Sequence, residues 1–250
     1  MSESDLRQDY DPTPLERMGV YWRGSVRRPF WVMLIVFCGL WALFGAVYAD
    51  DPGAAREVLS DFLEDKSGFI LNAGAQESLT WDDVWRSFGA DPDALEEEAE
   101  ELSRALSPEP QRLDATALFL NNALACAVGI VLGLVPFLFL SVWPLAANAV
   151  IVGALTGAVL AEGGSLAAVA WGILPHGVLE IPALALSFAM GFALCRTLTR
   201  RICRRRNAHP LQAMGCTLLL YVLVVLPLLL AAACIETWIT PDLFARAMGL

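Results

Sequence analysis

The fold is decided by 47 consecutive residues without a charged side chain, from Ala115 to Ala161, which read ATALFLNNALACAVGIVLGLVPFLFLSVWPLAANAVIVGALTGAVLA. As one α-helix this stretch would be about 70 Å long, more than twice the roughly 30 Å hydrocarbon core of a bilayer. The chain therefore has to turn back within it. A corner is predicted at Ser141-Val142-Trp143-Pro144, because proline breaks helices and tryptophan favours membrane interfaces. We predict two spans, near residues 116–140 and 145–161.

The composition of the whole chain indicates the same class of protein. Of its 250 residues, 56% are hydrophobic and 18% are charged, whereas soluble proteins carry about 25% charged residues. These values exclude an ordinary soluble enzyme, a nucleic-acid binder and a disordered scaffold. The sequence therefore predicts an all-α, polytopic helical membrane protein with about five transmembrane spans.

Three further apolar stretches complete that number of spans. Residues 31–49 form a first transmembrane anchor, which we expect to stay uncleaved because an arm of 30 residues precedes it. Residues 211–235 form the last span. Residues 165–195 contain Pro175-His176-Gly177, so we predict a fourth span that is broken at 175–177, with a short re-entrant half before the break. The membrane core then covers residues 116–241, with a tight polar turn at 162–164.

The arginines predict how the chain is oriented. The arm at residues 1–30 has five arginines and the loop after residue 195 has six, and such clusters favour the cytoplasmic side. Five crossings that start in the cytoplasm return residue 195 to the cytoplasm after the fourth. We therefore expect a multi-pass protein of the cell membrane with a cytoplasmic amino terminus and an extracytoplasmic tail at 242–250.

Residues 50–115 form an acidic segment with eighteen Asp and Glu against five Arg and Lys. Asp51-Pro52 and Asp91-Pro92 each resemble a capping residue followed by proline at the first helical position. We expect three or four short amphipathic helices that form an extracytoplasmic cap. Its charge is interpreted first as a solvated surface, and second as a surface for a basic partner.

Polar side chains within the apolar spans are the candidate functional residues, since unpaired polar groups are costly in lipid. They are Asn121, Asn122, Asn148, His176, Glu180 and Glu236. The first two ionisable ones, His176 and Glu180, are four residues apart and share one face of a helix. We interpret the group first as a buried hydrogen-bond network in which His176 and Glu180 satisfy each other and the asparagines bind backbone groups at the Pro175 break. A proton or ion path through Glu180 is the second interpretation.

The sequence predicts no catalytic residue, no metal site and no cofactor. His209, the second histidine, falls on the predicted cytoplasmic side, so no third zinc ligand accompanies His176 and Glu180, and the H-E-x-x-H signature is absent. Ser187 and Cys195 lie too far along the same span to serve as nucleophiles with His176. A nucleotide-binding G-x-x-x-x-G-K loop is also absent.

Two pairs of glycines have the four-residue spacing that lets membrane helices approach closely. They are Gly129 with Gly133, and Gly153 with Gly157. The spacing suits packing within the chain and also a homo-oligomer.

Four motifs together resemble one family. They are Phe119-Leu-Asn121-Asn122, Asn148 with Gly153 and Gly157, Leu174-Pro175-His176-Gly177-Val-Leu-Glu180, and Ile235-Glu236-Thr-Trp-Ile-Thr240-Pro. This pattern, over residues 115–241, is similar to that of the stage II sporulation protein M family of integral membrane proteins. The resemblance implies a multi-pass protein that organises a membrane complex with cell-wall-degrading partners. It carries over Asn121, Asn122, Asn148, Pro175, His176, Gly177, Glu180 and Glu236 as motif positions, without catalytic roles.

The first functional hypothesis is therefore a non-enzymatic scaffold in the lipid bilayer that organises an envelope-associated complex with membrane or envelope protein partners and without nucleic acid. The alternative is a transporter or channel with a polar site around His176 and Glu180. An intramembrane hydrolase is the third hypothesis. It ranks last because candidate nucleophiles and metal ligands are few.

Overall fold

The computed structural model describes residues 12–59, 115–161, 163–204 and 208–243. All regular secondary structure in these residues is helical. Its helices are α1 (Pro14–Tyr21), α2 (Arg27–Asp50), α3 (residues 52–59), α4 (Ala115–Leu132), α5 (Val142–Ala161), α6 (Leu166–Ile202), α7 (Pro210–Leu220) and α8 (Leu226–Trp238). Short π-helical turns at Trp22–Val26 and Tyr221–Val225 join α1 to α2 and α7 to α8.

Five helical segments in the described part of the chain are long and apolar enough to cross a membrane. They are Pro14–Asp50, Ala115–Leu132, Val142–Ala161, Leu166–Ile202 and Pro210–Trp238. Many large apolar side chains on them are exposed, for example Ile35 at 69% and Leu218 at 63%. Such surfaces are expected for helices that face lipid. The prediction of an all-α, polytopic membrane protein with five spans is confirmed.

The first spanning helix begins well before residue 31, inside the predicted arm. Thr13 starts α1 with a capping box, in which the Glu16 amide donates to the Thr13 hydroxyl at 3.3 Å and the Thr13 amide donates to the Glu16 carboxylate at 2.9 Å. Pro14 occupies the first turn, where its missing N–H costs nothing. The helix then continues through the π-helical turn to Asp50.

The predicted helix N-cap at Asp51 is present at the start of the acidic segment. The Ala54 amide donates to the Asp51 carboxylate at 3.1 Å, and residues 52–59 are helical. The second predicted cap, at Asp91-Pro92, lies outside the described residues, as does the rest of the predicted extracytoplasmic cap between residues 60 and 114.

The corner between the second and third spans comes earlier than predicted. Helix α4 ends at Leu132, residues 133–141 form turns, and α5 already begins at Val142. Pro144 lies in the first turn of α5, a position that tolerates proline because its N–H would have no helical partner there. Proline therefore starts a helix here, and the predicted end of the second span at residue 140 was wrong.

The predicted break at 175–177 is also wrong, because α6 is one α-helix of 37 residues that passes through Pro175. An isolated helix would lose about 3 kcal/mol at an internal proline. In a bundle, neighbouring helices can hold such a helix together. Val169 and Ile173, which precede the proline, are buried with Val159 of α5 in one apolar cluster, and this packing supports the first half of α6.

The chain divides into two compact units. Unit 1 comprises residues 1–36, 123–145 and 181–229. Its core contains the fully buried side chains of Phe188, Met190 and Leu194. Gly133 lies against the backbone of Gly191, so closely that an added methyl group would collide with the Gly191 carbonyl.

Hydrogen bonds to tyrosines support the packing of unit 1. The Tyr21 hydroxyl lies 3.1 Å from the Thr217 hydroxyl, which connects α1 to α7. The Tyr221 hydroxyl donates to the Ala123 carbonyl of α4 at 2.8 Å. In the turns after α4, the Phe137 amide donates to the Thr199 hydroxyl at 3.0 Å. These bonds satisfy polar groups that would otherwise be costly in an apolar environment.

Unit 2 comprises residues 37–122, 146–180 and 230–250. One apolar cluster joins α3 to α5 through the buried residues Ala55, Leu59, Ala154 and Ala158. The Trp41 indole N–H donates to the Thr156 hydroxyl at 2.8 Å, and that hydroxyl donates to the Val152 carbonyl at 2.8 Å.

Both glycine pairs are used for packing within the chain. In unit 1, Gly129 lies against the ring of Phe188. In unit 2, methyl groups added at Gly153 and Gly157 would come within 2.6 Å of the Cβ atoms of Phe44 and Tyr48, respectively. Small residues thus let α2 approach α5 closely, as the spacing indicated.

Candidate functional site

All eight residues predicted from the motifs belong to unit 2, and three of them converge. His176 and Glu180 of α6 meet Glu236 of α8, and one ligand-type atom from each side chain lies within 4.8 Å of the others. All three side chains are half-buried. We call these three residues the His–Glu–Glu cluster.

The local sequence explains how α6 positions its two members of the cluster. Because α6 is not broken, the four-residue spacing of His176 and Glu180 holds them one turn apart on a single face. Glu236 lies near the end of α8, two residues before Trp238. Pro175 and Gly177 flank the histidine within the helix and contribute no side chain of metal-ligating type.

Thr240, which was named in the last sequence motif but not among the candidate functional residues, is a fourth member of the site. Its hydroxyl is 3.2 Å from His176 Nδ1 and 3.3 Å from the Ile235 carbonyl, to which it donates. A threonine hydroxyl has one proton, and Thr240 donates it to the Ile235 carbonyl. The Thr240 oxygen is therefore the acceptor in its bond with His176, and Nδ1–H is the donor. The Nε2 atom of His176 then carries the lone pair. The four-residue spacing of Glu236 and Thr240 was the available signal.

The asparagines have their own arrangement within unit 2. The Asn121 side-chain amide donates to the Asn122 amide oxygen at 3.4 Å, and Asn148 is half-buried on α5. The predicted partner of these amides was backbone freed at a helix break, and α6 has no such break. The expected direct His176–Glu180 bond remains a prediction, whereas the bond that the structure shows for the histidine is the one to Thr240.

The two candidate nucleophiles lie in unit 1 and donate to backbone carbonyls. The Ser187 hydroxyl donates to the Ala183 carbonyl at 2.9 Å, and the Cys195 thiol donates to the Val135 carbonyl at 3.3 Å. Both side chains are fully buried. An imidazole and two carboxylates, as in the His–Glu–Glu cluster, can instead form a hydrogen-bond network, relay a proton or bind a cation.

Comparison with known proteins agrees with the motifs. No curated protein and no solved structure matches the chain. The family described as stage II sporulation protein M matches residues 33–241, which is most of the chain and includes every motif position named above. The chain belongs to the stage II sporulation protein M family.

Proposed function

We propose that this protein is a non-enzymatic scaffold that organises an envelope-associated complex in the cell membrane. Family membership supports the proposal, since the resemblance implies an organiser rather than a hydrolase. The observation that carries it is that polar groups of the motif bind to other groups of the protein, His176 to Thr240 and Asn121 to Asn122. Such bonds are what a packed polar network requires.

Capture of partner proteins with the tagged protein, solubilised in mild detergent, tests the scaffold function. His176→Ala and Glu180→Gln are expected to lower protein abundance and partner capture together, several-fold for a loss of about 1–2 kcal/mol of stability. Glu57→Gln is the matched control, because its side chain is exposed and lies outside the cluster. Normal capture by both cluster variants at normal abundance would contradict the role of the network.

Transport is the second candidate, and the observation that favours it is the His–Glu–Glu cluster itself. Ionisable side chains gathered in an apolar bundle are typical of proton and ion pathways. Purified protein in proteoliposomes distinguishes the two functions. Loss of a proton or cation flux in Glu180→Gln, with abundance and partner capture unchanged, would replace the scaffold by a transporter.

The proposal includes the orientation with a cytoplasmic amino terminus and an extracytoplasmic carboxyl terminus. Cys203 is exposed beside the arginines at the end of α6. In a variant with Cys38 and Cys234 replaced by serine, a membrane-impermeant maleimide should label Cys203 only after the cells are permeabilised. Labelling in intact cells would reverse the orientation.

A further inference from the structure

The donor set of the His–Glu–Glu cluster is that of a metal site. It combines one imidazole nitrogen with carboxylate oxygens from two glutamates, and the atoms lie within 4.8 Å of one another. Ligand atoms around a tetrahedral zinc ion, at bond lengths of about 2.0–2.2 Å, are roughly 3.4 Å apart. A small contraction by rotation of the two glutamate side chains would therefore bring the three groups onto one ion.

The bond from His176 to Thr240 prepares the histidine for this role. Metal-binding histidines usually donate their second ring N–H to an acceptor, which fixes the tautomer and the orientation of the ring. The Thr240 hydroxyl lies 3.2 Å from His176 Nδ1 and donates its own proton to the Ile235 carbonyl, so Nδ1 is assigned as the donor of this pair and Nε2 as the nitrogen that remains for a metal. Thr240 is 8% exposed, and this acceptor is therefore shielded from solvent.

The negative charge of the two glutamates favours a cation at the His–Glu–Glu cluster. Two glutamates close together repel each other unless a proton or a cation lies between them. A divalent ion carries the charge that balances two carboxylates beside a neutral imidazole.

We propose that His176, Glu180 and Glu236 bind a divalent first-row transition-metal ion, of the class that includes Zn²⁺ and Mn²⁺, with Thr240 as the positioning residue. Mixed imidazole and carboxylate ligands suit these ions. The ion joins α6 to α8 and leaves a fourth coordination position open. Sequence reasoning missed the site because it found no third ligand, which Glu236 supplies. The site neither requires nor excludes the scaffold function.

Metal content of the full-length protein in detergent tests the site. After chelation, exposure to Zn²⁺ and removal of excess ion, wild type should retain about one Zn²⁺ per chain, and Co²⁺ should give visible d–d absorption bands. His176→Ala and Glu236→Gln should lower affinity for Zn²⁺ by more than tenfold, while His209→Ala and Glu57→Gln should match wild type. Equal Zn²⁺ retention by all five proteins, or retention by none, overturns the site.

Thr240 provides a test that does not remove a ligand. Thr240→Val should weaken Zn²⁺ binding by about 10–100-fold, as loss of an outer hydrogen bond does at metal sites, and Thr240→Ser should restore it. Gel filtration shows whether each variant is folded. Unchanged affinity and unchanged Co²⁺ spectrum in folded Thr240→Val would remove the positioning role and with it the assignment of Nε2 as the ligand.

An independent feature of unit 1 is a cavity of about 310 Å³ with basic walls. Arg17 of α1, Arg196 and Arg200 of α6, and His209 at the start of α7 line it, with Tyr21 and Gln212 as further donors. Arg196 and Arg200 are one helical turn apart, and like charges at that spacing repel each other. The amino terminus of α7, which begins at Pro210, adds the positive end of a helix dipole near the cavity.

The described residues of unit 1 carry many more arginines than acidic side chains. The single acidic residue there is Glu16, whose carboxylate accepts hydrogen bonds from Thr13 in the capping box. We infer that the cavity binds a phosphate group, either of an anionic phospholipid or of free phosphate. Guanidinium groups match phosphate oxygens in charge and geometry, and basic pockets between membrane helices bind lipid headgroups.

Thermal unfolding of the full-length protein distinguishes the sources of phosphate. Vesicles or micelles with phosphatidylglycerol should raise Tm relative to phosphatidylcholine, and inorganic phosphate alone should raise it if the ligand is the free ion. Either shift should disappear in Arg196→Gln with Arg200→Gln and persist in Arg27→Gln, an exposed arginine outside the cavity. No shift with either probe, or the same shift in every variant, overturns the inference.

Discussion

Unit 1 and unit 2 differ in the sign of the charge that their described residues carry. Unit 1 has eight arginines and one acidic residue, Glu16, whereas unit 2 has one arginine, Arg56, and six acidic residues. The arginines are Arg17, Arg23, Arg27, Arg28, Arg196, Arg200, Arg201 and Arg204, and the acidic residues of unit 2 are Asp50, Asp51, Glu57, Glu180, Glu236 and Asp242. The overall charge of −10 is therefore an average over two different units. The described residues of unit 1 are suited to binding anions, and those of unit 2 are suited to binding cations.

Both units combine close packing at glycines with side-chain hydrogen bonds, but different groups make these contacts. In unit 1 the buried ring of Phe188 packs against Gly129, and the backbone of Gly133 packs against that of Gly191. In unit 2 a tryptophan N–H and a histidine bind threonine hydroxyls. We therefore expect the largest losses of stability from packing changes in unit 1 and smaller ones from lost hydrogen bonds.

The largest effect is expected for Phe188→Ala, because the ring is fully buried. Loss of a buried phenylalanine lowers the free energy of unfolding by about 4 kcal/mol. Phe137→Ala is the control, since the Phe137 side chain is 53% exposed. Gly129→Ala should be destabilising in wild type and nearly neutral beside Phe188→Ala, because the added methyl group meets that ring. Additive losses in equilibrium unfolding of the double variant would refute the contact.

The next effect in size is expected for Gly133→Ala. The added methyl group would collide with the backbone of Gly191, which cannot rotate away, so a loss of about 3 kcal/mol is expected from overpacking. Gly215→Ala in α7 meets nothing within 4 Å, and it should instead raise stability by up to about 1 kcal/mol. Thermal unfolding in detergent compares the two variants. Equal melting temperatures would show that unit 1 does not depend on close backbone contact.

An intermediate effect is expected in unit 2 for Thr156→Val. The change keeps the shape of the side chain but leaves the half-buried Trp41 N–H without its acceptor, which costs about 2 kcal/mol for a donor in an apolar environment. Thr156→Ser keeps the hydroxyl and should stay within about 1 kcal/mol of wild type. Chemical unfolding followed by tryptophan fluorescence measures both. A neutral Thr156→Val would mean that polar contacts do not stabilise unit 2.

The smallest effect is expected for Tyr221→Phe. It removes the bond to the Ala123 carbonyl and retains the ring, so a loss of about 1 kcal/mol is expected. Tyr48→Phe is the control in unit 2. A loss as large as that of Phe188→Ala would show that hydrogen bonds, and not packing, dominate unit 1.

Much of the architecture follows from local sequence. The spans are recognisable in the sequence as apolar stretches that are long enough to cross a bilayer. The helix N-cap at Asp51 is recognisable because an aspartate side chain accepts hydrogen bonds from backbone N–H groups. Proline was the least reliable signal. Pro144 starts a helix and Pro175 lies inside one, because the effect of proline depends on its place in the helix and on the helices packed around it.

The candidate site was predictable only in part. His176 and Glu180 follow from helical spacing, whereas Glu236 and Thr240 are more than fifty residues away along the chain. Their meeting depends on how α8 packs against α6, and periodicity within one helix carries no information on that.

The sequence by itself determined that this protein is helical, that its described residues include five segments long and apolar enough to cross a membrane and to which family it belongs, because hydrophobic length and motif residues are local properties. Only the tertiary structure decided that α6 is continuous, that the glycines pack within the chain and that Glu236 and Thr240 join His176. These outcomes depend on contacts between distant segments, where shape and hydrogen-bond geometry select one packing among many that the same apolar helices would allow.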